Sequence, residues 1–260
     1  MPEQLMDISR AKQFLDDRET DGYIWHLIEV GRAAEIWVSG SPYITSLMVV
    51  EKKERPNQSD ADICIEADSK KELLDLLSVL DPSKRYFAIL SREWMFPVFD
   101  NELDAASLGG RNHYGLVRED FNPLSHHPVL EFSADDRTLI EKISVDEDME
   151  LTLRFFDWTS KSFGIVEDDQ LVAYTCTWES GDEREIVWVY TRSDKCRQGY
   201  GTSIASETAE YIFQNGGKKV TAAADWDNIG SMRIWEKLGF HREGVTAFYL
   251  FQKPEPIESG

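Results

Sequence analysis

The feature that most narrows what this chain can be is a strand emptying into a short loop with two close glycines, which then opens a helix. The segment reads Val189-Tyr190-Thr191-Arg192-Ser193-Asp194-Lys195-Cys196-Arg197-Gln198-Gly199-Tyr200-Gly201-Thr202. Glycines let the backbone come close to a ligand, and the first peptide N–H groups of a helix have no intrahelical acceptor. Those groups, together with the helix dipole, favour an anion at that end. The charge pattern agrees. The chain carries −20 overall, from 48 acidic and 28 basic residues, yet residues 192–198 hold three bases and one acid. Screening acts over roughly 8 Å at physiological salt, so this local basic island prevails over the distant acidic field. The segment points to a diphosphate-bearing ligand.

Two phosphate loops are excluded at this point. A dinucleotide-binding fingerprint needs a third glycine where Ile204 stands, and a P-loop needs a following Gly-Lys-Ser/Thr, which is missing. The Gly109-Gly110 pair with Gly115 has no following Lys-Ser/Thr either and reads as a plain turn.

The surrounding pattern is mixed α/β. In the first half, residues 5–18 read as helix and 23–30, 35–38, 46–51 and 63–67 as strands. Residues 69–80 form a helix with an Ser69/Glu72 capping box and one face of Leu73, Leu76, Leu77 and Leu80, followed by a buried strand at 86–90. Residues 121–129 carry Pro123 and Pro128 around His126-His127 and read as a solvated linker. The domains expected are therefore 1–125, a smaller α/β domain, and 130–255. The second half reads as a helix at 135–143 and a hairpin of 162–166 with 171–177 across Glu167-Asp168-Asp169-Gln170. A strand at 185–191, a helix at 201–214, a strand at 220–224, a helix capped by Asp227 or Asn228 and a last strand at 245–251 follow. Strands alternating with helices after a hairpin imply a mixed, mostly antiparallel sheet flanked by helices.

Composition excludes several functions. A −20 chain repels polyanions, so no nucleic-acid partner is expected. Cys64, Cys176 and Cys196 form no CxxC pair, so neither a disulfide framework nor a metal site is expected. The start lacks a basic-then-apolar leader, and the longest apolar run, 44–50, is interrupted by Thr45 and Ser46. A soluble, cytoplasmic protein with no membrane partner is expected.

The run Cys196-Arg197-Gln198-Gly199-Tyr200-Gly201 resembles the Q/R-x-x-G-x-G/A signature of the GNAT acetyltransferases. Asn228-Ile229-Gly230-Ser231, then Ile234-Trp235-Glu236-Lys237-Leu238-Gly239-Phe240, is similar to that family's N-x-x-S…Y-E-K-L-G-F motif. The approach Val189-Tyr190-Thr191 resembles a branch with a second, degenerate GNAT-like unit at the N-terminus. The resemblance implies acetyl-CoA as cosubstrate. It implies that backbone groups of Val189 and Thr191 bind the pantetheine arm and that the amides of Arg197, Gln198, Gly199, Tyr200, Gly201 and Thr202 bind the pyrophosphate. Asn228 would hold the pantetheine side, and Trp235 occupies the position of a tyrosine that many members place near the cofactor.

For the general base the candidate is Glu185, fourteen residues before Gly199, the spacing of the base carboxylate in histone-acetylating members. Its strand is apolar enough to raise a carboxylate pKa by desolvation. The alternative is that Glu185 starts the strand in an exposed acidic patch with Asp182 and Glu183. Indole donates a hydrogen bond but no proton, so the general acid is Ser231, another residue or water, or the thiolate leaves unprotonated. Cys196 replaces the family's usual Gln or Arg, leaving Arg197 to substitute, and a reactive-thiol role is the other reading. Trp178, Trp188 and Trp226 read as core aromatics by default or as acceptor-pocket lining.

The expected function is acetyl transfer from acetyl-CoA to a primary amine of a small molecule or a protein. The N-terminal half would shape the acceptor site or a homodimer interface. The alternatives are a non-catalytic acyl-CoA-binding module and an interaction scaffold.

Overall fold

The computed structural model describes residues 1–16, 18, 22–29, 31–40, 43–52, 59–144, 149–159, 161–180 and 183–253. The chain divides into two compact units, Met1–Arg111 with Val245–Gly260, and Asn112–Gly244. By backbone contact the divisions thus fall at 111/112 and 244/245, where sequence alone set one break near 125–130. No helix among the described residues is long and apolar enough to cross a membrane.

The first unit runs β1 (Glu3–Gln4), α1 (Ile8–Asp16), α2 (Gly22–Glu29), β2 (Glu35–Ser39), β3 (Ser46–Lys52), β4 (Ala61–Ala67), α3 (Lys70–Leu77), β5 (Arg85–Leu90) and α4 (Phe96–Glu102). Its strand order is β1-β2-β3-β4-β5, with the chain's last strand, β12 (His241–Gln252), beside β5. Among these only β4 and β5 are parallel. Alternation along the strands loads both faces, as period-two side chains must. Met48 and Val50 face a core with Leu73, Leu76 and Phe99, while Leu47 and Val49 face one with Leu15, Ile24 and Leu27.

Of residues 23–30, expected as a strand, 23–29 fold within helix α2 and Val30 lies outside the described residues. Their β-branched and aromatic content suggested a strand. The spacing of Ile24, Leu27 and Ile28, all buried, instead builds one helical face. The Gly109-Gly110 pair, expected as a plain turn, lies inside strand β6 (Ala106–Val117), where Gly109 takes φ +96°.

The second unit continues through β6 into β7 (Leu130–Phe132), α5 (Arg137–Ile143), α6 (Met149–Trp158), β8 (Lys161–Glu167), β9 (Gln170–Ser180), β10 (Glu183–Thr191), α7 (Tyr200–Gln214), β11 (Lys219–Asp225) and α8 (Ile229–Leu238). Its strand order is β6-β11-β10-β9-β8-β7. The hairpin between β8 and β9 turns at Asp168 and Asp169, both left-handed at φ 50° and 60°, as a two-residue primed turn requires. Ile186, Val220, Ala222 and Ala224 pack with α7 and α8, whereas Tyr174 and Cys176 pack with α5 and α6 on the other face. Each unit therefore presents the same order: two helices, three antiparallel strands, a helix, a strand parallel to the third, and a helix.

Helix α8 ends on Gly239 in the left-handed region at φ 93°, and a Cβ added there would run into the backbone carbonyl of Asp120. Gly239→Ala is expected to cost more than about 2 kcal/mol. A calorimetric scan would then show the melting midpoint lowered by more than about 4 °C. An unchanged midpoint would mean that the cap relaxes freely.

Candidate active site

Parallel strands β10 and β11 pair in register from Glu183↔Lys219 to Ile186↔Ala222. There the pairing stops, although β10 runs on to Thr191 and β11 to Asp225. On its other side β10 keeps its partner: Tyr190↔Tyr174 and Thr191↔Ala173 lie beyond a register shift between Val187 and Tyr190. That irregularity contains Trp188, left-handed at φ 53° and stacked on Phe155 at 5.1 Å between ring centroids. A bulge adds twist and turns the strand away from its neighbour. Val189 and Thr191 accordingly line an opening, with no β11 residue paired to them.

The loop after Thr191 completes this opening. Arg197 takes φ 63° and Gly199 φ 92°. Gly199 is the residue before α7 and gives it no side-chain cap. The first helix-closing bond near it runs from the Ser203 N–H to the Gly199 carbonyl at 2.9 Å. Among the described residues no backbone acceptor meets the N–H groups of Gly199, Tyr200, Gly201 or Thr202. Glycine is required at 199 by its backbone angle rather than by crowding, since an added Cβ would meet only His127 Nε2, 3.7 Å away. At Gly201 crowding is the reason: a Cβ would lie 3.0 Å from Ile234 Cδ1 and 3.2 Å from Thr191 Oγ1.

The basic island is less positive than its sequence count. Arg192 is held by Asp194 at 2.6 Å and by Gln170 at 2.7 Å, and Lys195 by Glu167 at 2.8 Å. Glu167 also accepts from the buried Tyr200 hydroxyl. Arg197 is exposed, and among the described residues it has no ion-pair partner. The Lys195 ammonium and then the Tyr200 hydroxyl hold the Glu167 carboxyl below its ordinary range. Cys196 is exposed, with its thiol donating to the carbonyls of Thr191 and Arg192.

After β11, Asn228 is exposed and caps α8 by accepting the Ser231 N–H on its Oδ1 at 3.0 Å. Ser231 is half-buried in the first turn. Trp235 is only 1% exposed, packs against Phe240 at 5.1 Å, and leaves its indole N–H without a partner. It belongs to the core behind the opening. Glu185 is half-buried, with Trp178 and Thr221 as register partners. Since Ile186 faces the α7 core, Glu185 lies on the opposite face of the sheet. Asp182 and the side chain of Glu183 lie outside the described residues. Core packing holds for Trp188 but not for Trp178 and Trp226, which are 43% and 37% exposed.

Sequence reading missed one contributor. The His126-His127 stretch, expected as a solvated linker, is bonded along α7: the Leu124 and His126 N–H groups donate to Ser206 and Ser203 Oγ, each at 2.9 Å. Two buried serines on the face of a helix were the available signal.

The Glu167 cluster generates a pH prediction. A carboxyl lowered by folding adds stability above its unfolded pKa, and that stability disappears as pH falls through the folded value. The melting midpoint of Glu167→Gln should therefore lie below wild type at neutral pH, and the gap should close in acid below the ordinary carboxylate range. A gap independent of pH would refute the ionic account.

Residues 126–240 match the family model described as Acetyltransferase (GNAT) family. No curated protein matches the chain by sequence. Among solved structures, a GNAT-family acetyltransferase from Colwellia psychrerythraea is similar over 96% of this chain and 99% of its own, at TM-score 0.65 and 10% identity. A tandem GNAT protein from the clavulanic acid biosynthesis pathway is similar over 98% and 99%, at TM-score 0.64 and 12% identity. A GCN5-related N-acetyltransferase from Sphaerobacter thermophilus covers 94% and 86%, at TM-score 0.61 and 11% identity. The repeated order of elements in the two units accords with a tandem arrangement. Residues 126–240 thus match the GNAT acetyltransferase family, and the chain shares the fold of the GNAT structures over nearly its whole length.

Proposed function

We propose that this chain transfers the acetyl group of acetyl-CoA to a primary amine, by direct attack in a ternary complex. The observation that carries the reading is the backbone at 197–202. Left-handed Arg197 and Gly199 open α7 on uncommitted N–H groups, beside the β10 edge that β11 has left. A diphosphate fits such a cradle. In this reading the amides of Arg197, Gln198, Gly199, Tyr200, Gly201 and Thr202 bind it, with the exposed Arg197 guanidinium as counter-charge. The pantetheine arm lies along Val189 and Thr191, and the amide of Asn228 approaches it from α8. Trp235 supports this wall through packing.

The amine lone pair attacks the thioester carbonyl carbon, the carbon–sulfur bond breaks, and the thiolate takes a proton from Ser231 or water. Glu185 takes the proton that frees the lone pair of an ammonium acceptor, and the second proton, lost by the nitrogen after attack, leaves to water. The acceptor is favoured as a cation, because Glu185 sits in register with an exposed indole, Trp178, and such a pair attracts an ammonium through charge and ring quadrupole. The acceptor is a small molecule or a protein amine, and the first unit shapes that side or a homodimer interface.

The first unit does not supply a second cofactor site in this reading. Its corresponding helix, α3, is capped by its own residues. Ser69 accepts the Glu72 N–H, and Glu72 Oε2 accepts the Asp68 N–H and the Ser69 hydroxyl. The Glu72 carboxylate thus stands where a phosphate would bind. Strand β4 also stays paired with β5 up to Ile65↔Leu90, the end of β5. Glu66 beyond it is 1% exposed and bound by Ser91 and Arg92.

One observation favours a second reading, a non-catalytic acyl-CoA-binding module: the family's usual tyrosine position holds the buried Trp235, which offers no proton.

Titration calorimetry should give one CoA per chain, and Gly199→Glu, which places bulk and negative charge in the cradle, should abolish binding. With acetyl-CoA and a panel of amines, free thiol should appear. Glu185→Gln should lower kcat by about 10²–10⁴-fold while leaving the KM for acetyl-CoA unchanged. Absence of CoA binding would remove both readings, and binding without thiol release on any amine would select the second.

A further inference from the structure

His127 precedes β7 and lies outside both motifs, yet it touches the diphosphate loop twice. Its Nε2 is 3.0 Å from the Gln198 carbonyl oxygen, and its ring stacks on Tyr200 at 4.0 Å with 21° between planes. A carbonyl only accepts, so Nε2 carries the hydrogen in this contact. Its backbone is anchored by the neighbouring His126 N–H on Ser203. Tyr200 is in turn fixed by its hydroxyl on Glu167, which Lys195 also holds. The imidazole is thus placed from both sides rather than loosely packed.

Its contact has a geometric consequence for the peptide between Gln198 and Gly199. In a trans peptide the C=O and the N–H point in opposite directions. With the Gln198 oxygen directed at His127, the Gly199 N–H is directed away from His127. Gly199, left-handed at φ 92°, has a peptide plane that is otherwise free to flip, because glycine populates both signs of φ. A flipped peptide would aim a carbonyl oxygen, rather than an N–H, at an incoming anion.

We propose that His127 is a positioning residue for the diphosphate loop. Through the Gln198 carbonyl it locks the 198–199 peptide in the orientation that presents the Gly199 N–H to the ligand. This rests on the reading of residues 197–202 as the CoA diphosphate site. The ligand class it serves is any nucleotide-type diphosphate, and it is indifferent to the acyl group and the acceptor.

The test uses the full chain with two substitutions and two thioesters. His127→Phe keeps an aromatic ring against Tyr200 and removes the donor, while His127→Gln returns an N–H near the position of Nε2. His127→Phe should weaken CoA binding roughly 3- to 10-fold, the range of one hydrogen bond. It should raise the KM for acetyl-CoA similarly, with kcat at saturation unchanged. S-acetylpantetheine, which carries no diphosphate, should show no change in KM, and His127→Gln should restore CoA binding to within about twofold of wild type. As a measurement independent of variant folding, the Gly199 amide resonance of ¹⁵N-labelled wild type should shift on CoA addition. Equal losses for both thioesters, wild-type affinity in His127→Phe, or an unmoved Gly199 resonance at saturating CoA would overturn the proposal. If wild type itself binds no CoA, the diphosphate reading falls first and this assignment with it.

Discussion

Past Ile186 and Ala222 two parallel strands stop bonding to each other, and the proposed chemistry of the second unit is arranged around that parting. Sheet backbone normally has all its N–H and C=O groups paired, and buried ones left unpaired are costly. Here the separation is imposed by a bulge at Trp188, whose unfavourable left-handed backbone is stabilised by its ring lying flat on Phe155. A helix then begins on a glycine that no side chain caps. Polar backbone that a purely structural element would satisfy is instead directed to one place.

Comparing the halves separates what the fold contributes from what individual residues contribute. Both follow one order of helices and strands, so the architecture alone does not make a site. What differs is local. The first unit pairs its parallel strands to their end and satisfies its helix start with Ser69 and Glu72. It also fills the end of β4 with a buried carboxylate matched to an arginine. An incoming anion would have to displace like charge there, whereas in the second unit it would meet N–H groups and Arg197.

Much of this was legible from residues alone, for identifiable reasons. The α3 capping box, the Asp168-Asp169 turn, the Asn228 cap and the Gly239 stop are encoded by neighbours within four positions, and all four stand in the structure. The glycine loop was legible because only glycine tolerates the angle at 199. Other features depended on distant contacts. Residues 23–30 have strand-like composition, yet Ile24, Leu27 and Ile28 bury together in a helix. The island's count of bases overlooked Glu167, which lies on another strand and neutralises Lys195. The role of residues 124–127 was hidden because their partners, Ser203 and Ser206, are about eighty positions away in sequence. Trp178, near the end of β9, and Trp226, in the turn after β11, are exposed, which residue type does not reveal.

The membership of the final strand has a bearing on biosynthesis. The first unit counts Val245–Gly260 among its residues, and β5 finds its antiparallel neighbour only in Ala247–Gln252. A ribosome delivers that stretch only after the second unit. The first unit therefore waits until the second has been synthesised before its sheet is complete, with the β5 edge unpaired in the meantime and open to wrong partners.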